Sequence, residues 1–511
     1  MTTAAVQTAL QKISYRAATV QAEWLVAALL GLFAIDNLLL LQFLGMSPIV
    51  VILLAIAVTS GLIWLIKRPA NDAAQIPIQV VGYALLISLT LLVLGGEGRF
   101  FYANADWQIR DAILNDMSSL PWPFAYALDG KAVILRAPLG MYLLPSLAGN
   151  SGFNEFAMLA SNALRLSILL ALGWQLFGNR TSRIIALVVF LAFSGWDFIG
   201  TWFYSLKGIP VSWDHLETWN FGFQYSSHIT QAFWVPQHAL AGWTAALMFL
   251  LWRKGLAPIG WFAATIPLVA IWSPLAVMGA VPFVLLAGIT VLIRRDFNWR
   301  DVGLGLVAVG VALPALLYMQ MDAAKLGSEI RQAPFAIYLF VFALEVAPFV
   351  LLALLDPSNT KMERLTLWVI LSCLIFMPFW KIGANSDFQM RASIMPLALL
   401  AVAFAEWIMR KLDQRPVPKG ALGFAVVALL VGAITPALEI HRGLVNGPSP
   451  APLCSLVGVW EKQSGLVAPH ATYLADTSSL PYVLKNVPAI AGLRDPESCW
   501  DRKWVVAQEP E

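Results

Sequence analysis

The feature that most constrains this chain is a succession of uninterrupted apolar runs, each about as long as a bilayer is thick. A hydrocarbon core of about 30 Å takes about 20 residues of α-helix. Runs of that kind fall at 24–44, 48–66, 77–96, 154–177, 184–203, 231–251, 259–274, 276–293, 302–321, 335–355, 365–381, 391–409 and 420–438. They predict an all-α polytopic membrane protein with about thirteen spans. Ser273-Pro274 divides the longest apolar stretch into two short helices. Continuous rather than alternating apolarity excludes a β-barrel.

Composition excludes further classes. Of 511 residues 59% are hydrophobic and 12% charged, against about 25% charged in an average soluble domain. A soluble enzyme and a disordered chain are both ruled out. The net charge of +3 is too small for a nucleic-acid partner. Three cysteines make no disulfide framework or metal cluster. The residues ahead of the first run lack a signal-peptide pattern, so that run is expected to remain as an anchor.

Lys and Arg set the orientation. Lys12 and Arg16 precede the first span, and Lys67 and Arg68 follow the second. Arg180 and Arg183, Arg253 and Lys254, Arg294, Arg295 and Arg300, Lys361 and Arg364, and the group Arg410, Lys411, Arg415 and Lys419 then mark every second loop. The positive-inside rule puts these loops and the N-terminus in the cytoplasm. The membrane domain is expected over 1–438, with outer loops 97–153 and 204–230. A small outer C-terminal segment follows over 439–511. All five histidines (His215, His228, His238, His441, His470) lie outside, which points to chemistry at the periplasmic face of a bacterial inner membrane. No phosphate-binding loop or dinucleotide fingerprint is present. Cys454 and Cys499 share the outer segment and are expected to pair, as cysteines in an oxidising compartment do.

Three outer constellations carry candidate chemistry. The first is Asn104-Ala-Asp-Trp-Gln-Ile-Arg-Asp-Ala-Ile-Leu-Asn-Asp-Met117. Ile109, Ile113, Leu114, Met117 and Leu120 recur at helical spacing, so 107–119 reads as an amphipathic helix lying on the membrane. Asp106 reads equally as its N-cap and as a general base at the water–lipid boundary. Arg110, Asp111 and Asp116 point elsewhere. The second runs from Trp213-Asp-His-Leu-Glu-Thr-Trp219 to Trp234-Val-Pro-Gln-His238. Its aromatic rings suit the apolar faces of sugars, while Asp214, His215, His228, Gln237 and His238 can bond hydroxyls. The same rings also suit an interfacial anchor. The histidines show no metal-ligand spacing, and nothing in the sequence calls for a metal or other cofactor. The third is Asn385-Ser-Asp-Phe-Gln-Met-Arg-Ala-Ser-Ile-Met-Pro396. There Asp387 and Arg391 stand one turn apart and can pair, and the guanidinium can hold a phosphate. Arg165 and Glu345 fall near mid-membrane and are expected to pair with each other. Asp36 and Asp197 are expected shallower, lining a cavity or snorkelling outward.

These features together resemble the GT-C superfamily of integral-membrane glycosyltransferases. The resemblance rests on Asp106, Asp111 and the helix after them, and on Trp122-Pro and Leu139-Gly-Met-Tyr-Leu-Leu-Pro145. It also draws on Phe193-Ser-Gly-Trp-Asp197, Trp234-Val-Pro-Gln-His238 and Ser386-Asp-Phe-Gln-Met-Arg-Ala-Ser-Ile394. It covers roughly residues 77–400. It implies an inverting transfer from a polyprenyl-phosphate sugar donor to an envelope glycan or lipid acceptor. Asp106 or Asp111 would act as base. Arg110, Arg165 or Arg391 would bind the donor phosphate. One departure stands out. In the superfamily the acidic loop follows the first span, whereas here it follows the third. Either two spans have been added at the N-terminus or Asp106 is not the equivalent residue. A transporter or flippase for a lipid-linked or amphiphilic solute is the alternative, favoured by the buried charges and the broken Ser273-Pro274 span. A structural subunit of an envelope polymer machine is the third.

Overall fold

The computed structural model describes residues 18–66, 75–149, 152–220, 222–296, 298–383, 386–462, 472–479, 489–490 and 495–504. Lys12, Arg16, Lys67, Arg68, Asn385 and His470 lie outside the described residues. The fold is helical and multi-pass. Among the described residues eight helical stretches are long and apolar enough to cross a membrane, and a ninth is formed if the bent pair Phe335–Glu345 and Ala347–Leu354 counts as one. Large apolar side chains cover the outside of these stretches. Ile49, Leu292, Ile293, Leu306 and Leu430 are each more than 60% exposed. In water so many exposed apolar groups would drive association, whereas lipid accepts them.

Several runs that read as single spans are broken. The run at 184–203 is split between Arg180–Ala192 and Asp197–Leu206. The run at 335–355 bends by 65° at Val346. The run at 231–251 breaks at Val235, ahead of Pro236. The break leaves helix Pro236–Arg253 buried from Pro236 through Leu251, as a central post rather than a lipid-facing span. Ser273 does divide helices Ile259–Leu268 and Pro274–Arg294, and its side chain accepts the Ala276 N–H.

Mid-membrane charge is arranged differently from the expectation. Arg165 does not meet Glu345. Its guanidinium lies 2.6 Å from Asp36, both side chains wholly buried, and stacks against Trp272 at 4.7 Å and Phe33 at 5.4 Å. Trp272 Nε1 also donates to Asp36 at 2.8 Å. Asp36 therefore neither snorkels nor lines an open cavity. A charge this deep is tolerated only with a partner. Which partner it finds is fixed by close helix contact: a Cβ on Gly140 would stand 2.1 Å from the Trp272 ring. Glu345 accepts from Trp219 Nε1 at 2.8 Å through one oxygen, while its other carboxylate oxygen has no hydrogen-bond partner among the described residues; Asp197 lies within electrostatic range of it. Asp197 is 2% exposed and takes the hydroxyls of Ser194 and Thr435 at 3.0 and 2.9 Å. It too is buried rather than snorkelling.

The C-terminal segment is joined to the first large loop. Helix Ile434–Val445 runs through the expected boundary at 438/439. Beyond it, Leu474–Asp476 and Ala489–Ile490 flank the hairpin Ala125–Leu128/Lys131–Leu135 in one four-stranded sheet. Cys454 and Cys499 are disulfide-bonded, as expected. Asp116 fastens this cap to the membrane domain: its Oδ2 accepts from Tyr126 Oη and from the Leu456 N–H, each at 2.7 Å.

Candidate functional site

Helix Trp107–Ser119 forms where the sequence places it, but it is buried on both faces from Trp107 through Leu114 and again at Asp116 and Met117. It does not lie on the membrane surface. Its entry is pinned by Asn104, whose Nδ2 donates to the Phe233 carbonyl at 3.0 Å while its Oδ1 accepts the Asp106 N–H at 3.0 Å. Trp107 Nε1 reaches the same carbonyl at 2.9 Å. Asn104 thus does the local capping. Asp106 makes no cap bond. Its carboxylate instead meets Arg110 at 2.8 Å and keeps a quarter of its side chain exposed, while Arg110 is buried. Arg110 also donates to the Tyr142 hydroxyl.

One residue along, Asp111 lies 3.7 Å from Arg99, which pairs more closely with Glu155 at 2.5 Å. Burial pushes the Asp111 carboxyl up to about 6, against the opposing pull of Arg99 and Arg110.

Two other elements bring cation and imidazole to the same place. Helix Asp387–Ala392 carries the Asp387–Arg391 pair at 2.5 Å, each side chain 18% exposed. It packs tightly on helix Pro274–Arg294, since a Cβ on Gly279 would stand 2.0 Å from the Ala392 carbonyl. His238, at the N-terminal end of the central helix, has Nδ1 2.9 Å from Ser273 Oγ. Arg391 and Arg110 both act electrostatically on the His238 ring. Tyr473, from the cap, feels Arg110, Asp106, Arg391 and Asp387 together. Arg110 and Arg391 thus lie within electrostatic range of both His238 and Tyr473, and Asp106 and Asp387 within range of Tyr473. Gln237 is 5% exposed, with its Oε1 unbonded.

The remaining candidates sit elsewhere. Arg165 is occupied by Asp36, by Ser161 and by the Leu32 carbonyl. His228 is packed among Phe190, Phe193 and Trp243, with Nδ1 2.7 Å from the Phe190 carbonyl. Asp214 and His215 belong to a second polar cluster. His215 Nδ1 lies 3.0 Å from Glu439, its ring stacks on Trp234, and Arg442 donates to the Asp214 carbonyl. Burial lowers the His215 pKa, but the Glu439 bond and charge outweigh it and leave the net shift upward.

A cleft of about 1210 Å³ opens beside helix Asp387–Ala392, lined by Phe223, Gln224, Arg331, Lys381, Ser386 and Met390 among others. Arg331 lies over the Phe223 ring at 5.1 Å and donates to Ser386 Oγ at 3.2 Å. Among the described residues no group of three or more His, Cys, Asp or Glu is arranged to hold a metal ion. Arg99, Tyr142 and Tyr473 were not singled out from sequence. Tyr142 stood inside a quoted motif, whereas nothing in the pattern around Tyr473 links it to a loop some 360 residues earlier. No protein-family model, curated protein or solved structure matches the chain.

Proposed function

We propose that the protein is an inverting membrane glycosyltransferase, moving a sugar from a polyprenyl-phosphate donor to a glycan or lipid acceptor at the periplasmic face. The reading assumes thirteen membrane passages, with the N-terminus in the cytoplasm and the C-terminus in the periplasm of a bacterial inner membrane. The observation that carries it is the Asp106–Arg110 pair, with Arg110 and Arg391, from distant segments, both within electrostatic range of His238 and of Tyr473 in the cap.

Arg110 is the hinge of the mechanism. In the free protein it is neutralised by Asp106 at 2.8 Å. A donor phosphate offers the guanidinium a stronger, bidentate partner. Arg110 and Arg391 then stabilise the charge that grows on the leaving phosphate. Asp106, released from its ion pair, takes the proton of the acceptor hydroxyl. The hydroxyl oxygen forms its bond to the anomeric carbon as the bond from that carbon to the phosphate oxygen breaks. The phosphate departs with the electron pair. The cleft beside Ser386, with an aromatic ring and amide and cationic groups, suits a polar acceptor.

The test is transfer of radiolabelled sugar from polyprenyl phosphate by purified protein in lipid vesicles. Sugar appearing on an acceptor or as free sugar supports the reading. Donor left intact by the wild type, with a range of acceptors supplied, overturns it. A second reading, transport, is favoured by the buried carboxyl groups of Asp197 and Glu345 beside two broken helices. Protein-dependent movement of labelled lipid-linked sugar across the vesicle without cleavage would select it.

A further inference from the structure

The opposite end of the bundle holds a second cavity that the proposed reaction does not use. It occupies about 650 Å³ between helices Ile78–Leu94 and Arg180–Ala192, with Trp243 and Ala398 at its back. That volume falls within the range of about 300–1,000 Å³ typical of sites for small organic ligands. Its walls are almost wholly apolar. Tyr83 and Ile184, at its mouth, are 67% and 52% exposed, so the opening faces the lipid.

Charge is confined to one end. Arg180 and Arg183 line the cavity at the turn that follows helix Phe153–Gly173. Arg183 is held in place: its Nε donates to the carbonyls of Trp174 and Phe177 at 3.2 and 2.9 Å, and its guanidinium lies over the Trp174 ring at 3.4 Å. Those partners are dipoles and a π-face. They fix the group without neutralising it. Arg253 and Lys254, on the neighbouring turn, are by contrast both paired to Glu406.

An apolar slot open to lipid, with fixed positive charge at its headgroup end, fits one ligand chemistry. We propose that it binds an anionic phospholipid, one acyl chain in the slot and the phosphate at Arg180 and Arg183. The leaflet is the one opposite Asp106, which is cytoplasmic in the orientation given above. The polyprenyl-phosphate donor is not the occupant. The 21 residues of helix Phe153–Gly173 separate the two cation sites by about 30 Å at 1.5 Å per residue, and one donor phosphate cannot serve both.

The experiment uses the full chain in lipid nanodiscs with photoreactive acyl chains on phosphatidylglycerol or phosphatidylcholine, followed by peptide mapping. Phosphatidylglycerol should label 79–87 and 180–190 about fivefold more than phosphatidylcholine, the factor expected for one basic contact near the surface. Arg180→Glu should erase that preference. Ala186→Trp, which fills the slot, should remove labelling by both lipids. Equal labelling of the wild type by the two headgroups overturns the proposal without recourse to any variant. So does labelling that Ala186→Trp leaves unchanged, or displacement of phosphatidylglycerol from these peptides by polyprenyl phosphate. None of these outcomes depends on whether sugar transfer is observed.

Discussion

Asp106 Oδ2 stands 2.8 Å from Nη2 of Arg110, one helical turn along the same buried helix. The carboxylate expected to act as base is therefore quenched at rest by the cation expected to bind phosphate. Only the carboxylate is partly exposed. In the proposed reaction an entering anion would exchange that contact and so couple base release to donor binding. A carboxylate free at all times would lack that coupling.

Asp106→Asn separates this role from a structural one. An amide oxygen still accepts from Arg110, so the fold and the Asn104 cap are kept. It cannot take a proton. Loss of a general base costs about 10²–10⁴-fold in rate. Transfer should fall by that factor with donor binding retained, measured by sugar release and by equilibrium binding of labelled donor. Near-normal transfer would move the role to Asp111, already lifted to about 6 by burial.

Arg391→Lys keeps the charge but loses the planar fork that holds a phosphate through two bonds. Hydrogen bonds to charged groups are worth about 1.5–3 kcal/mol. The KM for donor should rise about tenfold or more and kcat should fall as well, whereas Asp106→Asn should lower kcat with donor binding kept. An unchanged KM would leave Arg391 as the partner of Asp387 alone.

What the sequence makes legible follows from which forces are local. The apolar runs mark most helices, because hydropathy over about 20 residues needs no knowledge of neighbours. The helix at 107–119 was readable from its period, and the Cys454–Cys499 bond from compartment and proximity. Burial of that helix was not readable, since its cover comes from the cap helix Leu456–Lys462 and from helices Gly140–Ser146 and Phe153–Gly173, brought over it by tertiary packing. The Arg165–Asp36 pair was missed for a related reason. Two buried charges 129 residues apart are matched by helix packing at small residues such as Gly140, and spacing carries no trace of it. Tyr473 is the same case at the site itself.

Topology can be checked with single cysteines in a background lacking the native free thiol Cys373. A cysteine at the exposed position Lys131 should react with an impermeant maleimide on intact cells. One at Arg300, exposed at the other end, should react only after permeabilisation. The reverse pattern would invert the orientation and put Asp106 in the cytoplasm.

Reduction of the disulfide should loosen the cap and spare the bundle. The bridge closes a loop of 45 residues, worth at most about 4 kcal/mol in unfolded-chain entropy. Mild reductant should speed proteolysis within 451–504 while the membrane helices stay protected. Transfer should fall as well, because Tyr473, in the cap, lies within electrostatic range of Asp106 and Arg391. A cap equally resistant with and without reductant would mean that the sheet and Asp116 suffice.

Asp116 offers a pH test of that fastening. Burial lifts its carboxyl from 3.8 to about 7, the bonds from Tyr126 and Leu456 opposing the rise. An acid whose folded pKa is raised takes up a proton on folding between the two values. Its contribution to stability is fully present below about 4 and is lost as pH rises through about 7. Asp116→Asn keeps an oxygen for both donors and removes the ionisation. Relative to wild type it should therefore raise the melting temperature at pH 8, by less per kcal/mol than the about 2–4 °C of a 150–250-residue domain, because this chain has 511 residues. The gain should shrink steadily toward pH 4. Thermal unfolding followed by tryptophan fluorescence across pH 4–8 reads the difference directly. A variant less stable than wild type at pH 8 would mean that the carboxylate is held ionised, and that its two hydrogen bonds outweigh the cost of burial.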